Sequence, residues 1–505
     1  MMNRQLISFK NPYLWAVLSA VGCGTSFYVP HAWPLVFVSL VPLLHALRTS
    51  VSKKTAYALG CIVGLGILGT ATFAFISARI LPSTLGISSQ EGVVALAVSW
   101  LLILIVTVPV LGLWSLALSY VPLRHPLTVV AASVLWVILE FLRMYTFNVM
   151  TYAPGITNPP FFSAGFLGYA LAANISYVQL AALGGVAALS AFAVFVNMVL
   201  YRSLTSVSLT RAAVTTGGIL FVLTVIALVP LASWREHFTE VPTTVVRVGI
   251  MSLSLPQATP EESELQAWHA QSIAAISKLS AEQPNIILLP EGEHAYATNS
   301  MRVGGVPDTA SVVVGSAPAF SPDTKIRLEA FEENLAGTIR VPLRTKIILM
   351  PQGEYLIGLF RSALTLAGRA DLVRLFAGRY TLASGNKGAA LQAGPVHASV
   401  VFCLEIFSPD FARTLVQEQG SNLLLATVSH ARFRPSALLD TDTLRMLRVQ
   451  AVASGVPVAL SSKGAPAFVL DRYGRVISYL SLHEGSLSST VVSVVVSPVT
   501  APLTQ

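Results

Sequence analysis

A chain of 505 residues that is 54% hydrophobic and 11% charged, with a mean hydropathy of +0.68, is too apolar for an ordinary soluble protein. Its charge is unevenly placed: residues 1–234 hold ten basic and two acidic side chains, which leaves 22 of each sign for the rest. The net charge of +8 therefore belongs to the apolar half, which argues against a nucleic-acid-binding surface and for membrane topology.

Crossing a bilayer takes about 20 apolar residues. Seven runs in the first half meet or approach that: Tyr13 to Val29, Trp33 to Leu47, Thr55 to Ala78, Gly92 to Val121, Leu127 to Thr146, Val178 to Tyr201 and Ala212 to Ser233. The first is not expected to be a cleaved signal peptide, because a second run begins just after Pro30. Basic loops stay in the cytoplasm, and Arg4, Lys10, Arg48, Lys53, Lys54, Arg124, Arg202 and Arg211 all fall on one side, against Arg79 and Arg143 on the other. The N-terminus is therefore expected to be cytoplasmic, and seven spans deliver everything after residue 234 to the outer side.

Glu140 and Arg143, three residues apart on one helix face, are expected to neutralise each other near the bilayer edge. The connection from Phe147 to Tyr177 has no Lys or Arg but contains Pro154, Pro159, Pro160 and several Phe. It reads either as an outer loop shaping a lipid entrance or as a plain interfacial loop with aromatic anchors.

From Thr243 the pattern changes to short β-rich runs: Val245 to Ser252, Asn285 to Leu289, Ser311 to Ser316, Lys346 to Met350, Ser399 to Leu404, Asn422 to Val428 and Pro457 to Ser461. Helices are predicted over Glu261 to Leu279, Pro409 to Glu418 and Asp440 to Ser454. This alternation predicts an α/β sandwich with a substantial core. The expected organisation is a polytopic helical membrane domain over 1–234, an α/β domain over 235–490 and a C-terminal tail over 491–505. That tail contains Pro498 and Pro502 and is too short to span a bilayer.

Three cysteines do not make a disulfide framework; Cys23 and Cys61 lie in apolar runs, and Cys403 stands alone in the second half as either a small buried hydrophobe or a nucleophile. Three segments place an ionisable residue at the end of a β-run, where side chains converge at a sheet edge. They are Asn285-Ile-Ile-Leu-Leu-Pro-Glu291, Lys346 leading to Pro351-Gln-Gly-Glu354-Tyr355, and Val400-Val-Phe-Cys403-Leu-Glu405. Glutamate, lysine and cysteine supply a base, a cation and a nucleophile. A thiol is mostly protonated at neutral pH, so Glu291 would accept its proton and Lys346 would stabilise the oxyanion of an attacked carbonyl. Glu354 and Glu405 would support the site by orienting Lys346 or an acceptor amine. Glu293 is a rival base, and His294 and His430 read as hydrogen-bonded scaffold. No cluster has metal-site spacing and no glycine-rich loop follows a strand, so neither a metal nor a cofactor is implied.

Leu-Pro-Glu291, Lys346, Pro-x-Gly-Glu354-Tyr355 and Phe-Cys403-x-Glu405 resemble the Glu-Lys-Cys motifs of the nitrilase superfamily, whose αββα sandwich is then the expected fold. In the apolar half, His31-Ala-Trp33-Pro34-Leu35 to Val41-Pro42-Leu43-Leu44, Trp136 to Arg143, and Gly168-Tyr169 through Gln179 to Asn197 resemble the apolipoprotein N-acyltransferase family. The resemblance covers most of the chain. It implies an acyltransferase of the bacterial inner membrane, acting at the periplasmic face and probing no nucleic acid. Cys403 would take a fatty acyl group as a thioester from a phospholipid such as phosphatidylethanolamine, then pass it to the amine of a diacylglyceryl-cysteine on an apolipoprotein. A monomer is expected.

The chain departs from that family at Leu404, where an aromatic residue is usual, at Ser429-His-Ala-Arg-Phe433, and at Gln450-Ala-Val-Ala453. These departures bear on acceptor recognition. Two other readings stay open: another membrane-anchored amidase or acyltransferase with the same triad, and a membrane scaffold with an inactive nitrilase-like domain.

Overall fold

The computed structural model describes residues 11–29, 31–49, 51–76, 89–123, 125–205, 209–228, 243–254, 262–293, 312–320, 323, 325–334, 340–430, 436–482 and 487–498. Arg4, Lys10, Arg79, Arg124, His294 and residues 431–433, on which parts of the sequence reading fall, lie outside them. The chain divides into a helical unit, drawn from 1–74, 97–147 and 163–232, and an α/β unit, drawn from 75–96, 148–162 and 233–505.

The helical unit contains α1 (Pro12–Tyr28), α2 (Val41–Arg48), α3 (Lys53–Ile76), most of α4 (Ser89–Leu118) and α5 (Pro126–Met150), then α6 (Ala181–Leu204) and α7 (Leu209–Leu228). Among the described residues, four stretches are long and apolar enough to cross a membrane: Lys53–Phe73, Leu96–Leu118, Pro126–Met150 and Tyr177–Leu204. These are the membrane-type helices the composition calls for. The second expected run is not one helix. Pro34 and Pro42 cannot donate backbone hydrogen bonds, and the run splits into a 3-10 turn (Trp33–Phe37) and the short α2.

Broken backbone in an apolar setting needs side-chain partners. Asn197 provides two, accepting from Leu40 N at 2.8 Å and donating to Val36 O at 2.7 Å, while Ser19 Oγ accepts from Leu43 N at 2.8 Å. Glu140 and Arg143 attract each other electrostatically, as expected, and each also binds other groups. Glu140 Oε1 accepts from Leu167 N at 2.6 Å and from Trp136 Nε1 at 2.9 Å, and Arg143 Nη2 donates to Ala164 O at 2.8 Å. They hold the buried segment 163–172, which runs into a 3-10 helix (Leu167–Ala173), in the helical unit. Small residues let helices approach closely: a Cβ on Gly60 of α3 would fall 2.6 Å from Ser115 Oγ of α4.

Among the described residues, the α/β unit is built on twelve strands. They are β1 (Thr244–Leu253), β2 (Ile286–Leu288), β3 (Val312–Phe320), β4 (Ile326–Asn334), β5 (Arg340–Thr345), β6 (Leu391–Ala393), β7 (Val396–Phe402), β8 (Leu423–Ser429), β9 (Val458–Lys463), β10 (Ala467–Leu470), β11 (Val476–Leu480) and β12 (Leu487–Val496). The main path runs β5-β4-β3-β2-β1-β9-β8-β7-β6. Alternate residues from its two halves, such as Val248 and Ile250 of β1 and Val400 and Phe402 of β7, share one interior. The opposite face of β1 and β2 packs under helix α8 (Glu262–Ala281) through Ala275, Ile276 and Leu279. After helices α9 (Gly358–Leu366) and α10 (Ala370–Tyr380), helix α11 (Phe411–Gln419) lies against β7 and β8, and α12 (Ala437–Ser454) against α11. The result is the expected α/β sandwich with sheet faces turned inward.

Two boundaries differ from expectation. β12 pairs along its whole length with β1, from Thr244↔Val496 to Leu253↔Leu487, so the anticipated domain end at 490 falls inside a strand. Residues 148–162, read from sequence as an outer loop, join the α/β unit. Lys346 to Met350, expected as a strand, follows one: β5 ends at Thr345.

Leu425 sits fully buried in the shared interior. Leu425→Ala should destabilise the protein by about 2–5 kcal/mol, whereas Val476→Ala, at an exposed position of β11, should stay within about 0.5 kcal/mol. Denaturant unfolding in detergent, followed by near-UV circular dichroism, checks the contrast.

Candidate active site

Strand direction explains why distant residues meet. β3, β2, β1, β9, β8 and β7 are successively parallel, so their carboxyl ends share one edge. β3 to β4 and β4 to β5 are both antiparallel, so β5 again points the same way. Glu291 follows β2, Lys346 follows β5, and Cys403 follows β7 as the first residue of a 3-10 turn, Cys403–Phe407.

Lys346 is the centre of the cluster, with its side chain 2% exposed. Its Nζ donates to Glu291 Oε1 and to Glu354 Oε1, both at 2.7 Å. Glu354 is aimed by a tight loop: its Oε2 accepts from Met350 N at 2.8 Å, and its own N–H donates to Met350 O at 2.8 Å. That loop takes Gln352 to a φ of 61°, a left-handed conformation uncommon for residues other than glycine. Glu291 lies in a comparable bend, where Gly292 has a φ of 79° and its N–H donates to Ser316 Oγ. Among the described residues Glu291 Oε2 has no hydrogen-bond partner.

Cys403 is partly exposed, with its Sγ 3.8 Å from Ser429 O. Burial pushes the thiol upward, the charge of Glu291 adds to that, and Lys346 opposes it. Burial also raises Glu291, with Lys346 opposing and Glu354 and Glu405 reinforcing. For Lys346 burial alone would favour the neutral amine, but Glu291, Glu354 and Cys403 outweigh it and hold the ammonium charged. A protonated thiol, a carboxylate with unusual proton affinity and a fixed cation are the parts that attack on an acyl carbonyl needs.

The remaining sequence candidates part company. Glu405 does not touch Lys346; its carboxylate is bound by Arg344. Glu293 is ion-paired with Lys463, away from Lys346. His430 is buried, donating its N–H to Lys463 O at 2.6 Å, with Nδ1 3.4 Å from Asp440. At the departure Gln450, the side chain donates to Ile406 O at 2.5 Å and so braces the turn after Cys403.

Arg344 escaped the sequence reading, because an arginine in an edge-like strand carries no motif. Asn158 escaped too. Its side chain donates to Leu349 O at 2.8 Å and accepts from Leu349 N at 3.0 Å, while Tyr355 Oη donates to Thr151 O at 2.9 Å. Together with Gly358 N bonding Tyr152 O, these fasten residues 148–162 to the loop between Lys346 and Glu354.

Residues 19–199 match the model of the apolipoprotein N-acyltransferase N-terminal domain. A protein of Geobacter metallireducens named apolipoprotein N-acyltransferase is 26% identical over 94% of this chain and 88% of its own length. One of Gloeobacter violaceus with the same name is 26% identical over 91% and 84%. This chain is similar to the apolipoprotein N-acyltransferases. An amidase of the nitrilase superfamily from Nesterenkonia is 15% identical, covering 50% of this chain and 93% of that one, with a TM-score of 0.35. The similarity to the N-acyltransferases spans both units, so it takes in the apolar helices and the edge where Glu291, Lys346 and Cys403 emerge.

Because thiolate is the form that alkylates, iodoacetamide should label Cys403 at pH 7 at least about tenfold more slowly than an unperturbed thiol, and faster as pH rises. Lys346→Met removes the opposing cation and should slow labelling further at every pH. Glu291→Gln removes a charge that raises the thiol and should speed it. Mass spectrometry of the labelled peptide measures all three rates.

Proposed function

We propose that the chain is a lipoprotein N-acyltransferase working through a Cys403 thioester, and that the observation carrying this reading is the Glu291–Lys346–Glu354 cluster beside that thiol. In the first half-reaction Glu291 takes the thiol proton as Sγ attacks the ester carbonyl of a phospholipid. The oxyanion forms near the Lys346 ammonium, which has donated two of its three hydrogens to carboxylates. Collapse breaks the ester C–O bond, and the proton on Glu291 passes to the departing alkoxide, releasing a lysophospholipid. In the second half-reaction the amine of a diacylglyceryl-cysteine attacks the thioester, Glu291 takes the proton lost from nitrogen, and the thiol is restored as the amide forms.

Glu354 supports this by fixing Lys346. Glu405 acts at one remove, through the backbone on either side of the site. A phosphatidylethanolamine-like donor suits the reading because both substrates are lipid-anchored and reach a membrane-bound enzyme at high local concentration. The bias of basic residues supports a cytoplasmic N-terminus and a catalytic domain on the periplasmic side of the bacterial inner membrane. The helices within residues 1–234 then form the membrane domain, and the remainder through β12, with residues 148–162 joined to it, the catalytic one. We take the enzyme as a monomer.

Purified enzyme incubated with phosphatidylethanolamine should carry one acyl adduct on Cys403 by intact-mass and peptide spectrometry. Adding a synthetic diacylated lipopeptide should discharge it onto the lipopeptide amine. Cys403→Ala should show neither event. An adduct that only water discharges would instead favour a hydrolase, and absence of any adduct in the unaltered enzyme would favour the scaffold reading.

A further inference from the structure

Behind the Lys346 cluster lies a second charge pair, with both side chains 0% exposed. The Arg344 guanidinium grips Glu405 with two prongs, Nη2 to Oε1 at 2.7 Å and Nη1 to Oε2 at 2.8 Å. Its Nη1 also donates to Val400 O at 2.6 Å, and its plane packs over the rings of Phe402 and Phe411. Glu405 in turn accepts three backbone N–H groups, from Phe402 at 2.9 Å, from Ile347 at 2.8 Å and, at 3.5 Å, from Ile348. Phe402 immediately precedes Cys403, and Ile347 immediately follows Lys346. One carboxylate therefore ties the residue beside the thiol to the residue beside the ammonium, and a planar forked cation fixes that carboxylate.

From this geometry we propose that Arg344 is a positioning residue for Cys403: through Glu405 it locks the turn bearing the thiol to the loop bearing Lys346, and its charge cancels that of Glu405. The inference rests on Cys403 being the nucleophile, but not on the identity of the acyl donor or acceptor. Charged groups around the thiol are Glu291 after β2, and Lys346 and Glu354 after β5. The pairs Glu293–Lys463 and His430–Asp440 lie at neighbouring strand ends. Three carboxylates, Glu291, Glu354 and Glu405, thus stand against two cations, Lys346 and Arg344. Without Arg344 the balance shifts to three against one. The already raised Glu291, for which burial is the main cause and Glu405 a contributor, would then feel an uncompensated charge.

The test is the pH dependence of Cys403 alkylation by iodoacetamide in the full-length enzyme, which needs no acyl transfer. Arg344→Met should shift the pH giving a fixed alkylation rate upward by about one unit, a tenfold slowing at constant pH. Glu405→Gln, which leaves Arg344 uncompensated, should shift it in the opposite direction. Arg344→Met combined with Glu405→Gln should return it toward the unaltered profile, and Arg344→Lys, which keeps the charge, should hold the profile. Opposite shifts in the two single variants support the proposal. Unchanged profiles, or equal slowing in both singles and the double without a shift along the pH axis, overturn it and leave a structural pair only. Should Arg344→Met fail to fold, Glu405→Gln decides alone: a downward shift supports, and no shift overturns. A supporting result alongside absent acyl transfer would refute the proposed function and not this inference.

Discussion

An ammonium group cannot be taken out of water alone, and Lys346 is almost entirely out of water. Its retention of charge depends on Glu291 and Glu354 reaching it from separate parts of the chain, each at 2.7 Å. Much of the surrounding architecture supplies that convergence. Six consecutive parallel strands bring Glu291 and Cys403 to one edge, and two antiparallel steps turn β5 so that Lys346 emerges there too. The tight loop from Met350 to Glu354 then points the second carboxylate back at the cation.

The same constraint orders the electrostatics. Carboxylates near a thiol oppose its ionisation, so a site with three of them works only if their charges are assigned partners. Glu354 is committed to Lys346 and Met350 N, and Glu405 to Arg344 and three backbone groups. Glu291 alone keeps an oxygen with no hydrogen-bond partner among the described residues. Division of labour among chemically identical groups thus comes from their surroundings, as burial and partners differ from one to the next.

The membrane-type helices, the α/β alternation and the short motifs around Glu291, Lys346 and Cys403 were all readable in the sequence, because each is local. What was not readable depended on tertiary partners. Lys346 looked like the start of a β-run, yet β5 stops one residue earlier and frees the side chain to turn inward. β4 has a period-two alternation, Ile326-Arg-Leu-Glu-Ala-Phe, that is a strand signal, masked in part by its charged positions. The run from Trp33 to Leu47 was apolar enough to suggest a span, and its two prolines carried more weight than its hydropathy. Glu140 and Arg143 looked like a pair by spacing, which does not show that they also bind the backbone at Leu167 and Ala164. Arg344 and Asn158 belong to no motif, and their roles exist only once distant segments are in place.

The stitching of residues 148–162 onto the segment that follows Lys346 has a consequence for how the protein can be taken apart. Asn158, Thr151 and Tyr152 come from the primary structure of the apolar half, yet their hydrogen bonds end at Leu349, Tyr355 and Gly358. A fragment excised at the apparent domain junction near residue 235 would keep Glu291, Lys346 and Cys403 and lose this splint. The α/β half is therefore not a detachable module, and gene fusions or swaps that treat it as one would separate the loop after Lys346 from part of its own scaffold.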